Sequence, residues 1–326
     1  MAQLSPRKGL FVLVVMILVT RKTLLRIAFA LGLLVTQWIS LSLSSQASAS
    51  TLAPLKNSKP LEKALEKAIF SAARRAPSAA ICAGGNFGVL NLKDEFPQYA
   101  MVRGNLTLYA ASLPKIVLLG AAFDKLGGKD PSHEHLVIGH GRSHTIYELL
   151  HDMIYRSGNA SAGLIWRWLG HDRIEKFLLE KGLFKGGNGL WVGRAYGRLG
   201  RTNYHPTKTY VHGASQAANV KSVLWFYHLL SQGRLVSSEA DEQMLRLLSD
   251  SHPKLRDRFY ILKDEETTLF RKSGSWQQYV SDSAWVVKPG RSYALVGLTR
   301  CGTKKGKAFL EAFALSMDQE IKEGEL

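Results

Sequence analysis

The chain has 326 residues, 46% of them apolar, and a formal charge of +17. Such a length suits one two-lobed domain with a large core. Two cysteines without a C-x-x-C spacing, and the pairs His133/His135 and His140/His144 without thiolates or carboxylates at ligand spacing, argue against a metal centre.

The first fifty residues hold two apolar runs, Leu10–Val19 and Ile27–Ile39, split by Arg21, Lys22 and Arg26. Neither reaches the ~18 residues expected of a membrane span. The second run has a basic flank before it and "SQASAS" after it. Ala47-Ser48-Ala49 fits a small-residue cleavage site, so residues 1–49 are expected to be a secretory leader cut after Ala49. The first run is then surplus, and Met16 is an alternative start. The rival reading is an uncleaved N-terminal anchor, the one route by which this chain would touch a membrane. Removing the leader takes away five basic residues and no acid, lowering the charge from +17 to +12. An exported basic protein is suited to anionic cell-surface polymers or acidic small molecules, and export disfavours nucleic acid as a partner.

Residues 50–60 read as a polar linker. Leu61, Leu65 and Ile69, four apart, make "PLEKALEKAIFSAARRA" an amphipathic helix. "FGVLNL" and "QYAMVRG" read as strands around a "KDEFP" turn. "KIVLLGAAF" is then a helix apolar nearly all round. From 145 to 260 the pattern is mostly helical: "TIYELLHDMIY", "AGLIWRWL", "DRIEKFLLEKGL", "SQAANVKSVLWFYHLLSQG" and "SEADEQMLRLL", the last preceded by a Ser238-x-x-Asp241 capping box. A loop with seven glycines, Gly186 to Gly213, interrupts them. Strands return in "TTLFRKSGSW", "DSAWVVKP" and "SYALVGLTRC", the last two joined by the turn "KPGR", and "KAFLEAFALSMDQEI" closes the chain as a helix. Strands at both ends and helices between predict an α+β fold. It is a mainly antiparallel sheet built from 61–108 and 264–326, flanked by the terminal helices, with a helical lobe, 109–263, inserted.

Three short motifs fall on this frame. Ser112 and Lys115 stand three apart at the mouth of the buried helix, so both lie on one face. The spacing alone is weak, since Ser5–Lys8 in the leader and Ser251–Lys254 in a polar stretch expected to be an exposed turn share it. Helix capping by Ser112 with a snorkelling Lys115 explains it equally well. Ser157-Gly158-Asn159 precedes another helix, and Lys272-Ser273-Gly274 lies on a late strand.

In this order the three resemble the motifs S-x-x-K, S-D-N and K-[ST]-G of the penicillin-recognising serine hydrolases, the class A β-lactamases and penicillin-binding D,D-peptidases. The likeness spans nearly all of the chain after the leader and implies a β-lactamase/transpeptidase-like fold. It implies Ser112 as acylated nucleophile, Lys115 as its proton acceptor, Ser157 as proton relay and Lys272 as the cation that depresses Lys115. Asn159 would hold the substrate amide, and Lys272 and Ser273 its carboxylate. Gly274 would let the strand approach, and the N–H groups of Ser112 and Ser275 would form an oxyanion hole. No cofactor or metal is implied, and the partner is a small β-lactam or a peptidoglycan-derived peptide. The sequence departs from the family at Gly158, where Asp is usual, a change expected to cost local rigidity.

A second departure is larger. Class A β-lactamases carry a loop glutamate that activates the deacylating water. Here the 58 residues from Lys181 to Ser238 contain no Asp or Glu and eight Lys or Arg. Either His205 or His212 replaces the glutamate, or the acyl-enzyme persists as in a D,D-peptidase. The resemblance also makes the strands near Cys82 and Cys301 antiparallel neighbours, consistent with a disulfide or with two buried thiols. The activity expected is acyl-enzyme formation on a β-lactam or related cell-wall amide with slow deacylation. The alternatives are a D,D-peptidase or amidase and a non-catalytic binding or sensor domain.

Overall fold

The computed structural model describes residues 55–93, 96–138, 142–198 and 215–324. The expected leader, residues 50–54 of the linker, and His140, His205 and His212 lie outside them. First come β1 (Lys56–Asn57), α1 (Lys59–Arg75), a 3-10 segment at Pro77–Gly84, β2 (Asn86–Asn91), β3 (Gln98–Val102) and β4 (Leu108–Tyr109). The helical stretch holds α2 (Lys115–Leu126), the hairpin β5 (His135–Ile138) and β6 (Arg142–Thr145), α3 (Ile146–Tyr155), α4 (Asn159–Leu169) and α5 (His171–Glu180). Short strands β7 (Phe184–Lys185), β8 (Asn188–Gly189), β9 (Trp191–Val192) and β10 (Gln216–Ala218) precede α6 (Val220–Ser231) and α7 (Ser238–Leu248). The chain ends with β11 (Thr268–Trp276), β12 (Tyr279–Lys288), β13 (Arg291–Arg300) and α8 (Thr303–Glu323).

The main sheet has the order β1-β3-β2-β13-β12-β11. Its centre joins the two ends of the chain: β13 runs antiparallel to β2, with Leu295 opposite Val89 and Gly297 opposite Phe87. Apolar side chains of α1 (Leu61, Leu65, Ala68) and α8 (Phe309, Leu310, Phe313) share one core with Phe87, Val89 and Leu295. Each fully buried Leu, Val or Phe side chain here contributes about 1.5–3 kcal/mol. On α6, Val220 and Leu224 lie over β2 so closely that a Cβ at Gly88 would fall 2.3 Å from Val220 Cγ1. With helices against both faces, β2 is buried along its whole length instead of alternating.

Four local readings are corrected. Residues 56–57 are not linker: Lys56 N–H donates to Pro97 O (3.1 Å) and Ser58 N–H to Tyr99 O (3.0 Å), so the stretch covers the edge of β3. "SQAAN" is not helical. Ala110 N–H donates to Gln216 O (3.1 Å), which draws 216–218 into a strand beside β4, and Asn219 Oδ1 then caps α6 by accepting from Ser222 N–H (2.8 Å). The cap of α7 is Ser237, not Ser238, and Asp241 is a buried carboxylate that accepts from the N–H groups of Leu235 and Val236. Ser251, placed in an exposed turn, is buried, and its carbonyl accepts from Arg256 Nε (3.1 Å).

Cys82 ends the approach to β2 and Cys301 follows β13. They form a disulfide with Cα atoms 5.4 Å apart across 219 positions of sequence.

Candidate active site

Ser112 is half-buried in the turn Ala111–Pro114 that feeds α2. The helix begins only at Lys115, and Ser112 makes no capping bond, so the capping explanation of this serine does not apply. The eight residues between Lys115 and Asp124 are all apolar or small, and the helix is buried on nearly every side. Lys115 is therefore carried into the interior at 0% exposure.

A buried ammonium needs acceptors. Lys115 Nζ donates to Ser157 O (2.6 Å) and Asn159 Oδ1 (2.8 Å) and lies 3.4 Å from both Ser157 Oγ and Gly158 O. The Tyr196 ring centroid is 4.8 Å away, and the Tyr196 hydroxyl donates to Ala111 O (3.1 Å), tying the ring to the Ser112 turn. Among the described residues no hydrogen bond joins Lys115 Nζ to Ser112 Oγ. Ser157 has φ +58, a left-handed conformation that is uncommon for a residue with a side chain and marks local strain.

From the sheet, β11 brings the third motif to the same serine. Lys272, 2% exposed, donates to Ser157 Oγ (2.8 Å) and to Ser273 O (2.8 Å). A Cβ at Gly274 would lie 2.4 Å from Ala110 O and 2.7 Å from Ser112 N, so only glycine lets the strand reach the Ser112 turn. Ser281 Oγ donates to Ala110 O (2.8 Å) and Gly274 O (3.3 Å), fastening the two backbones together. Ser275 follows on the same strand and is exposed. The structure thus brings Ser112, Lys115, Ser157, Asn159, Lys272, Ser273, Gly274 and Ser275 to one place.

Sequence reasoning missed the supports. Arg258, 1% exposed, donates to Ser273 Oγ (3.1 Å) and Gly274 O (3.3 Å) and pairs with Asp257 (2.7 Å). Beside it Arg271 makes an ion pair with the fully buried Asp282 (2.7 Å). In sequence Arg258 is one charge in the polar run "DSHPKLRDR". Tyr196 sits in the basic loop and Asp152 on a helix with other charges. Arg258 directly precedes the apolar "FYIL", but adjacency to an apolar run does not specify a buried guanidinium.

Burial pushes the Lys115 amine down to about 7, with the nearby Asp152 carboxylate acting in the opposite direction. Burial, reinforced by Lys115, Arg271 and Arg258, holds Lys272 well below the ordinary lysine range. Two amines sharing one serine in a dry site disfavour each other's charge. A cavity of about 650 Å³ lined by Tyr99, Met101, Asn219, Lys221 and Trp225 lies apart from the motifs, none of whose residues line it.

The antiparallel sheet with its helical insertion, and three motifs meeting at Ser157, define a β-lactamase/transpeptidase-like protein. The model of the beta-lactamase enzyme family matches residues 72–315, and the chain belongs to that family. No curated protein sequence matches it. The fold is similar to that of the beta-lactamase from Sphaerobacter thermophilus DSM 20745 (TM-score 0.61, 17% identity, 78% of this chain and 95% of that one). It is also similar to a class A beta-lactamase from Bacteroides cellulosilyticus DSM 14838 (0.64, 13%, 82% and 100%). PBP-A is a third (0.62, 16%, 84% and 100%), and a mutant of PBP-A was solved as an acyl-enzyme complex with penicillin G.

Proposed function

We propose that this protein is an exported serine hydrolase that forms an acyl-enzyme at Ser112 with a β-lactam or related cell-wall amide and releases it slowly. One observation carries the reading: Lys115 and Lys272, from different lobes, both bond Ser157, beside the Ser112 turn. An amine with a pKa near 7 is a competent base at neutral pH. Lys115 takes the Ser112 proton as Oγ attacks the amide carbonyl carbon. The N–H groups of Ser112 and Ser275 stabilise the oxyanion. As the C–N bond breaks, Ser157 passes a proton to the leaving nitrogen and is resupplied by a lysine. Asn159 has its Oδ1 engaged by Lys115, which leaves its NH₂ to donate to the substrate amide. Lys272 and Ser273, with Arg258 behind, supply positive potential for a substrate carboxylate.

Deacylation is the slow step because no carboxylate occurs between Lys181 and Ser238 to activate water. The same stretch favours a second reading, a D,D-peptidase or amidase whose acyl group passes to an amine. Its basic residues suit a stem peptide with several carboxylates. Nitrocefin turnover measured beside the lifetime of a fluorescent penicillin adduct tests all of these. A slow turnover with a long-lived adduct supports the first reading. An adduct without turnover supports the second, and no adduct makes the protein a non-catalytic binder.

A further inference from the structure

Gly158 occupies the place where the family's second motif carries Asp, yet its backbone, φ −56 and ψ 122, does not call for glycine. Space does. A Cβ at 158 would fall 1.9 Å from Asp152 Oδ2 and 2.8 Å from its Cγ, far inside contact distance. The room that a side chain at 158 would take is filled by a carboxylate arriving from α3. That carboxylate is integrated into the motif: Asp152 Oδ2 accepts from Ser161 Oγ on α4 at 2.6 Å. The main-chain oxygen of Asp152 accepts from Gly158 N–H (3.0 Å) and Arg156 N–H (3.1 Å). One residue thereby holds both sides of the strained Ser157 turn.

We propose that Asp152 is the positioning residue of the second motif. Its carboxylate replaces, from α3, the one missing at Gly158 and keeps Ser157 and Asn159 in the arrangement that grips Lys115 and Lys272. The expectation that Gly158 costs local rigidity is answered by this relocation. Asp152 is also the anion whose field acts on Lys115 against burial. The other titratable groups at Lys115 are Lys272, from β11, and Tyr196, while Asp152 itself faces Arg156 Nη1 at 4.0 Å. The kinetic part of the proposal rests on the acyl-transfer reading above.

The test moves the carboxylate back. Asp152→Ala and Gly158→Asp are made singly and together, and Ser112 acylation by fluorescent penicillin and the melting temperature are measured for each. Each single change should slow acylation by about tenfold or more, and the pair should recover to within about threefold of wild type, because the two sites share one carboxylate. The melting temperature should follow the same pattern. A double variant no better than the worse single one overturns the proposal. Asp152→Asn keeps the shape and removes the charge, so the acidic limb of the acylation–pH profile should move to lower pH. An unmoved limb reduces Asp152 to packing and overturns the positioning role. If wild type is not acylated, the acyl-transfer reading alone fails. The melting-temperature cycle and a pH titration of the Lys115 ¹³Cε resonance, with and without Asp152→Asn, then decide the proposal.

Discussion

Lys272 Nζ donates to Ser157 Oγ at 2.8 Å across 115 positions of sequence, and this bond joins the sheet to the helical stretch at the place where Ser112 waits. The consequence for Ser112 is direct. Ser112→Ala should abolish covalent labelling by a fluorescent penicillin or a fluorophosphonate. The residue is half-buried in a turn, and among the described residues its side chain makes no hydrogen bond that holds the fold, while its carbonyl bond from Lys115 N–H survives the change, so the melting temperature should stay near wild type. Peptide mass spectrometry locates the adduct, and an adduct on another serine in wild type sinks the assignment.

The proposed slow deacylation predicts a burst. With a chromogenic β-lactam, about one equivalent of product per enzyme should appear quickly, followed by a slower steady state. Stopped-flow absorbance reads both phases. Fast multiple turnover without a burst would mean that another base stands in for the glutamate, and His212→Ala is then the informative variant.

The elements that could be read from sequence are those whose periodicity matches their burial. The all-round apolar run of α2 and the three long strands β11 to β13 are of this kind. β10 was hidden because Gln216-Ala217-Ala218 has no β-branched residue. Its strand form comes from pairing with β4 and β9, a tertiary cause. The site divides in the same way. Ser112/Lys115, Ser157/Asn159 and Lys272/Gly274 are legible because each group has a fixed local spacing. Arg258 reaches Ser273 over 15 positions, Asp152 blocks Gly158 from another helix, and Tyr196 covers Lys115 from the basic loop. None of the three has a spacing signal, since folding alone makes them neighbours.

Lys115 gives stability a pH dependence of known sign. Its pKa is 10.5 when unperturbed and about 7 in the folded chain, chiefly through burial. Between these values the unfolded chain binds more protons than the folded one, so stability rises with pH through that window. Lys272, depressed in the same direction, adds to the slope. The buried tyrosines Tyr196 and Tyr227, whose pKa values are pushed up from 10.0, oppose it only at the alkaline end. Urea denaturation from neutral pH to below pH 10 should show a gain of a few kcal/mol. Lys115→Met should flatten the curve, and an unchanged slope in that variant would show that Lys115 is not the depressed group.

Arg258 should be costly to remove. Its guanidinium is buried with Asp257 at 2.7 Å and Asp282 at 3.8 Å. Breaking a buried charge pair from one side typically costs about 3–5 kcal/mol. Arg258→Ala should approach that loss in chemical denaturation and slow acylation as well, because Ser273 Oγ loses its donor. Arg258→Lys keeps the charge without the fork that spans Ser273 and Gly274, so it should recover part of the stability and less of the acylation. Full recovery of both by lysine would refute a geometric role for the guanidinium.

The disulfide offers the cleanest test of how the two chain ends cooperate. Cys82 and Cys301 close a loop of 219 positions, from the approach to β2 to the end of β13. These are the two strands whose pairing completes the sheet, with Leu298 opposite Asn86 nearest the bridge. In the reduced unfolded chain that pairing requires a long and entropically expensive closure. A cross-link of this span nominally removes more than ~4 kcal/mol of it, although strain and residual structure in the unfolded chain commonly lower the measured value. The replacement of both cysteines by alanine should therefore cost about 2–5 kcal/mol and lower the melting temperature. It should leave Ser112 labelling intact below that temperature, because among the described residues the hydrogen bonds of the two cysteines run to Gly85 and Gln278 and not to the motif residues. Thiol titration of the denatured, unreduced protein should find no free thiol. Two free thiols there, with stability indifferent to reductant, would show that the sheet closes without the bridge.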